Sequence, residues 1–259
     1  MENHEYGQIT ATSSPYLWSL GQRYALLTDY FAVGHNSEMN YVSFAAGQHA
    51  GVTDGTTRIT FPSIWDQLQR AGRSWHAYEQ GIPSGCFTGA SSAASVTDGV
   101  GLAGQYVERH DPAMVFADVA AGGCAGRISA LASFVPTSAR LIFVTPNLCN
   151  DEHNACPPQS SLLNGDGFLR AFVPKILASP DFARTLLVIT YDEGTTSAGQ
   201  LPGDDGGHVF TVGVAPWLSH RIIATDADHY SLLHTVEVAD GLPCLATACQ
   251  RSPVSQLLP

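Results

Sequence analysis

Positive charge is what this chain has least of. Its 259 residues hold 12 lysines and arginines against 23 aspartates and glutamates, a formal net charge of −11. The basic residues are scattered, whereas nucleic-acid backbones and anionic membrane surfaces are bound by concentrated cationic patches, so neither is expected as a main partner. Charge of either sign is sparse, at 14% of the chain. No apolar run approaches the roughly 20 residues that span a bilayer, so stable membrane insertion is not expected. No internal repeat and no linker-like stretch interrupts the chain, and its length suits one large α/β domain; residues 1–259 are read as a single domain.

Other absences narrow the chemistry. There is no CxxC, and no Cys/His spacing fits a zinc site. There is no GxSxG turn, which removes the usual setting of an α/β-hydrolase serine. Met1 is followed at once by polar and charged residues rather than an apolar export segment. Yet there are six cysteines, a usage that belongs to an oxidising compartment. The expectation is a secreted or periplasmic protein whose export segment was removed or is not included here. Six cysteines allow roughly 15 pairings. Pairing in sequence order is expected: Cys86–Cys124, Cys149–Cys156 and Cys244–Cys249. The last two close short loops.

What the chain does have is organised around Leu186-Leu187-Val188-Ile189-Thr190-Tyr191-Asp192-Glu193-Gly194. An unbroken apolar run this short, ending in glycine, reads as a strand buried on both faces. Parallel sheets bind ligands at the carboxyl ends of their strands, and Asp192 and Glu193 sit at that end. Two adjacent carboxylates repel unless a proton or cation holds them, and hard cations take oxygen ligands. A solvated acidic turn is the alternative from this stretch alone.

Similar runs recur. Tyr30–Val33 leads into His35-Asn36-Ser37-Glu38-Met39-Asn40-Tyr41, where Ser37 could equally cap a helix. Arg140–Pro146 leads into the polar cluster Asn147–Asn154, and His208–Pro216 reads as a further buried strand. Helices are expected from Pro15, with Leu17, Leu20, Tyr24 and Leu27 on one face; over Pro62–Gly72; near Leu102–Arg109; over Gly126–Val135; over Asp166–Ala178, with Pro174 as a kink; and from Asp228 to Gly241. Ser74–Tyr78 reads as a strand, residues 81–99 as a long loop, and Asp204-Asp205 as solvated surface. The polar clusters at Glu2-Asn3, Ser37–Asn40, Asp151–His153 and Asp192-Glu193 combine a hydroxyl, carboxylates and imidazoles. These are the parts of a metal-assisted phosphoryl-transfer site.

Six segments, MENHEYG at the start, HNSEMNY at 35–41, TPNLCNDEHN at 145–154, ITYDEG at 189–194, GHVFTVGVAP at 207–216 and DHYSLLHTVE at 228–237, come in the order found in one family. The chain resembles the bacterial phosphoesterase family of secreted acid phosphatases and phospholipases C, within the alkaline phosphatase superfamily. The resemblance covers most of the chain. It implies a three-layer α/β/α fold with a mostly parallel central sheet. It implies one divalent metal ion, held by Glu2, Asn3, Ser37, Asp192 and Glu193, with Ser37 also the nucleophile. Asn40 would donate to a phosphate oxygen. His153, His208 and His229 fall where family members place site histidines, for phosphate binding or protonation of the leaving group; His4, His35 and Asp151 rank below them.

Two departures stand out. The family usually reads HPSLPNY at 35–41; the stiffening prolines are absent here and Glu38 adds a negative charge beside the serine. The family also carries an apolar strand just before ENH, and here Glu2 follows Met1 directly, so the first strand is read as missing from this sequence. The implied activity is hydrolysis of phosphate monoesters, small phosphorylated molecules, through a phosphoserine. Phospholipase C action on diester head groups, or a non-catalytic phosphate-binding relative, are the alternatives.

Overall fold

The computed structural model describes residues 1–92, 105–137 and 139–259. Seven short strands form: β1 (Ala25–Leu27), β2 (Trp75–Glu79), β3 (Ile128–Ala130), β4 (Leu141–Thr145), β5 (Leu187–Ile189), β6 (Thr211–Val214) and β7 (Arg221–Ile223). They make two sheets, ordered β5-β6-β1-β7 and β3-β2-β4. The second is wholly parallel. In the first, β1 runs parallel to β7, and only β6 is reversed, pairing antiparallel with both β1 and β5. Leu26 thus lies opposite Val212 on one side and Ile222 on the other. The β6 side chains are all buried, which is why the run reads as a continuous apolar stretch whichever way it points.

Five α-helices accompany the sheets: α1 (Pro15–Arg23), α2 (Ser37–Ala46), α3 (Ile64–Arg70), α4 (Ser161–Leu177) and α5 (His229–Asp240). α1 packs on α4, and α2 on α5. The sequence explains their starts. Pro15 opens α1, where its missing N–H costs nothing. Ser63, Ser160 and Asp228 each cap a helix by accepting a backbone N–H, from Asp66, Leu163 and Ser231. This is the α/β architecture expected, and the three cysteine pairs form as expected, with Cα separations of 5.5, 5.6 and 5.1 Å.

Several local expectations need correcting. Tyr24 and Leu27 do not extend α1; the chain turns after Arg23 and Leu27 lies in β1. Gly126–Val135 is not a helix: Ile128–Ala130 pairs with β2, and only a single 3₁₀ turn follows. A tertiary partner overrides weak local periodicity here. α4 begins at Ser161, five residues ahead of Asp166, and accommodates Pro174 near its end. Tyr30 and Phe31 make single bridges to Ala227 and His208 rather than a full strand. Residues 93–104, covering much of the expected loop and the start of the expected helix at 102–109, lie outside the described residues; Glu108–His110 is a 3₁₀ turn. Asp204 is not solvated: its side chain is buried 3.6 Å from Arg251, while Asp205 is exposed.

Among the described residues no strand of one sheet pairs with a strand of the other. The backbone of Met1 and Glu2 lies between them. Met1 N donates to Thr190 O (3.1 Å), Asp192 N donates to Met1 O (2.9 Å), and Glu2 N donates to Asp151 O (2.7 Å). Glu2 is thereby fixed where the ends of β4 and β5 come together.

Candidate active site

The turn before α2 is built for tension at one residue. Asn36 takes φ 100°, a left-handed conformation that costs a non-glycine residue energy and persists only where its surroundings enforce it. Three sets of bonds do so. Asn36 N donates to Glu193 Oε2 (3.0 Å). Asn40 Oδ1 accepts from Val33 N and Gly34 N (3.0 and 3.2 Å), and Asn40 Nδ2 donates to Gly34 O and Asn36 O (2.7 and 3.2 Å). Asn40 therefore holds the turn with all its amide bonding, and Ser37 becomes the first residue of α2, with Asn36 rather than Ser37 in the cap position. A helix amino end favours negative charge, which suits a serine oxygen that must shed its proton.

Ser37 Oγ donates to Glu2 Oε2 at 2.9 Å. Tyr41, one turn along α2, donates its hydroxyl to Glu2 Oε1. His110 Nδ1 stands 3.1 Å from Asp151 Oδ2 and 3.5 Å from Glu2 Oε1. One donor atom each from Glu2, His110 and Asp151 fall within 4.8 Å of one another, all in buried residues. Asp192 completes the group: Oδ1 accepts from Asn3 N (3.2 Å), while Oδ2 is buried without a partner. His110 Nε2 is likewise buried and unpartnered.

The electrostatics follow from burial. Glu2 is pushed well above the usual carboxylate range by desolvation first, then by the nearby charges of Asp192 and Asp151. Desolvation lifts Asp151 to about 7 and lowers His110 to about 3. His110 is thus neutral, with Nδ1 facing the Asp151 and Glu2 carboxylates. No lysine or arginine makes an ion pair with Glu2, Asp151 or Asp192 among the described residues. Buried like charges with oxygen donors, a neutral imidazole whose Nδ1 faces them and an orphaned carboxylate oxygen fit a hard divalent cation.

The expected residues are thus distributed unequally. Glu2, Ser37 and Asp192 meet, and Asp151, ranked low, meets them. Asn3 contributes its backbone N–H from a left-handed conformation, φ 59°. Glu193 turns to His35 Nδ1 (2.9 Å) and Asn36 N; burial, then Asp192, raises it to about 7. His229 sits behind Asp192, with Nε2 donating to Asp192 O (2.6 Å) and Nδ1 facing Tyr30 Oη (3.0 Å). His153 is half-buried at the rim, its ring 5.4 Å from that of His110 and its Nε2 3.4 Å from Arg109. His208 donates to Thr28 O (2.8 Å) and stacks on Tyr6 and Phe31, away from the cluster. His4 faces Ser161 and Glu152. The residue that sequence reasoning missed is His110, whose setting, Glu108-Arg109-His110-Asp111-Pro112, reads as nothing more than a helix ending before a proline.

The fold is that of the alkaline phosphatase superfamily. A superfamily member from Vibrio parahaemolyticus superposes with a TM-score of 0.60 at 13% identity, over 97% of this chain and 66% of that one. A phosphonate monoester hydrolase from Silicibacter pomeroyi gives 0.54 at 13% identity, over 99% and 75%. The chain belongs to the phosphoesterase family, whose model matches residues 3–243, and is on that ground a hydrolase of phosphoric ester bonds. It is 27% identical to a phosphatidylinositol-3-phosphatase of Mycobacterium tuberculosis, over 99% of this chain and 80% of the relative. It is 28% identical to a probable acid phosphatase of Kluyveromyces lactis, over 95% of this chain but 58% of that longer protein.

Proposed function

We propose that this protein hydrolyses phosphate monoesters through a phosphoserine at Ser37, in an oxidising, extracytoplasmic compartment. The observation that carries the reading is the bond from Ser37 Oγ to Glu2 Oε2, made at a helix amino end. Glu2 is the acceptor for the serine proton as Oγ bonds to phosphorus. The bond from phosphorus to the ester oxygen breaks, and the departing alkoxide takes a proton; His153 at the rim is the donor in reach of solvent. Water then attacks the phosphoserine and releases phosphate. One divalent cation held by Glu2, Asp192, Asp151 and His110 would supply charge neutralisation for the phosphate and acidify the serine hydroxyl. His229 orients Asp192, and Asn40 and Glu193 hold the turn that presents Ser37. The relatives named as phosphatases support a monoester substrate, and three disulfides suit export to an oxidising compartment.

The test is Ser37→Ala, assayed on p-nitrophenyl phosphate, with an acid quench of the wild type. Loss of the nucleophile should lower turnover by about 10⁴-fold or more, with phosphate still bound, and the quenched wild type should carry phosphate on Ser37. A variant of near-normal rate and slightly lower melting temperature would reduce Ser37 to a structural residue at the start of α2.

A further inference from the structure

A cavity of about 240 Å³ is walled by Glu38, Asp54, Glu108 and Arg109, the first and last of them chain neighbours of Ser37 and His110. Glu38 follows Ser37 in the chain, and Arg109 precedes His110 and reaches His153 Nε2 at 3.4 Å. The cavity is thus flanked by neighbours of the nucleophile on one wall and of the cluster on the other. Two of its three acids have arginine partners: Glu108 lies 3.4 Å from Arg58, and Asp54 3.7 Å from Arg109. Glu38 has none. Its Oε2 accepts from Gly55 N and Thr56 N (2.6 and 3.2 Å). Its Oε1, in a residue of 0% exposure, has no partner among the described residues. A buried acceptor left unmet at a cavity wall is costly unless something else fills the bond.

We propose that this cavity receives the alcohol half of the substrate, and that Glu38 Oε1 accepts a hydrogen bond from an O–H or N–H on that alcohol. The enzyme then prefers esters whose leaving group is neutral or cationic and carries a donor a few bonds from the ester oxygen. Simple alkyl leaving groups leave Glu38 unmet, and anionic ones meet its charge. This rests on the phosphoesterase reading and adds the substrate's second half to it.

The experiment compares kcat/KM for 3-hydroxypropyl phosphate and propyl phosphate, two esters of matched size and similar leaving-group basicity, with p-nitrophenyl phosphate as the reference. Assayed at pH 8, above the value of about 7 to which burial lifts Glu38, a hydrogen bond to its carboxylate should favour the hydroxylated ester by about tenfold in the wild type. Glu38→Gln gives the sharper arm. Gly55 N and Thr56 N demand an oxygen at the Oε2 position, so the amide NH₂ is forced into the place of Oε1 and an acceptor becomes a donor. The preference should fall to near unity in that variant. Should Glu38→Gln fail to fold, Glu38→Asp, which withdraws the carboxylate by one methylene, is expected to weaken the preference in the same direction. Equal wild-type rates for the two alkyl esters, or a preference that survives both substitutions, would overturn the proposal while p-nitrophenyl phosphate hydrolysis leaves the phosphoesterase reading standing. A wild type that hydrolyses none of the three overturns that reading, and this one with it.

Discussion

Two groups of buried acids in this molecule are built oppositely. Asp204 and Asp228 face Arg251, whose Nε lies 2.5 Å from Asp228 Oδ2 and whose Nη2 lies 3.6 Å from Asp204 Oδ1, with the acid side chains fully buried. Arg251 also donates to Pro202 O and stacks over Tyr230. Around the Glu2, Asp151 and Asp192 carboxylates His110 is, among the described residues, the basic side chain paired with them, and burial keeps it neutral. In the first group Arg251 bonds Asp228 directly and lies near Asp204, which burial and then Asp228 lift to about 7, so the chain itself brings a fixed counter-charge. The second leaves the position of the counter-charge open. Buried charge needs compensation in both places; whether the chain itself provides it separates a brace from a site. Glu237 shows a third solution. It is buried with no cation in contact among the described residues, and burial pushes it up to about 7, so a proton does the work.

Breaking the fixed pair should have the largest effect. Arg251→Met strands two buried carboxylates and should cost about 3–5 kcal/mol of stability, seen as a lower denaturation midpoint at neutral pH. A loss under 1 kcal/mol would mean that water already reaches both acids. Next comes the proton-held acid. Glu237 titrates higher folded than unfolded, so the native state retains a proton that the unfolded chain has released between about pH 4.5 and about 7. Its contribution is full below that window and is lost as pH rises through it. Glu237→Gln should remove this loss and gain roughly 1–3 kcal/mol at pH 8 over the wild type, with little gain at pH 4. Equal pH profiles for the two proteins would place the titration elsewhere.

The smallest shift, and the most diagnostic for the site, is Asp192→Asn. The amide oxygen keeps the bond from Asn3 N, and the NH₂ replaces Oδ2 opposite Glu2. In a chelator the variant should melt about 2–4 °C higher than wild type, since a repulsion has been relieved. With divalent ions present the order should reverse, and metal content by plasma emission should fall. A variant that melts below wild type in both conditions would show that Asp192 is merely structural.

Much of this division was readable in advance, and the exceptions have physical causes. Asp192 and Ser37 announce themselves because apolar runs lead into them, and strand ends collect polar groups. His110 does not: it comes from a 3₁₀ turn with no strand before it, and its value lies wholly in the company of Glu2 and Asp151, residues over forty positions distant in the chain on one side and over a hundred on the other. The reversal of β6 is invisible for a related reason, since a strand buried on both faces has the same pattern in either direction. Ile128–Ala130 becomes a strand only because β2 offers an edge. Arg251 gives no sign from the sequence that it will be buried against Asp228. The acid Glu38 beside the serine is legible, but not that the Gly55 and Thr56 amides hold its Oε2.

The stitching of Met1 and Glu2 between the two sheets carries a consequence for how the protein matures. Glu2, Ser37, His110, Asp151 and Asp192 are drawn from well-separated parts of the chain, and they meet where the segments after β4 and β5 are sewn to the same two peptide units. Neither sheet alone can present the cluster. Activity therefore works as a checksum on assembly: a molecule with one sheet formed and the other undocked is silent, however native its spectrum. Slow exchange of the Glu2 and Asp192 amides should appear in step with activity during refolding, and not before it.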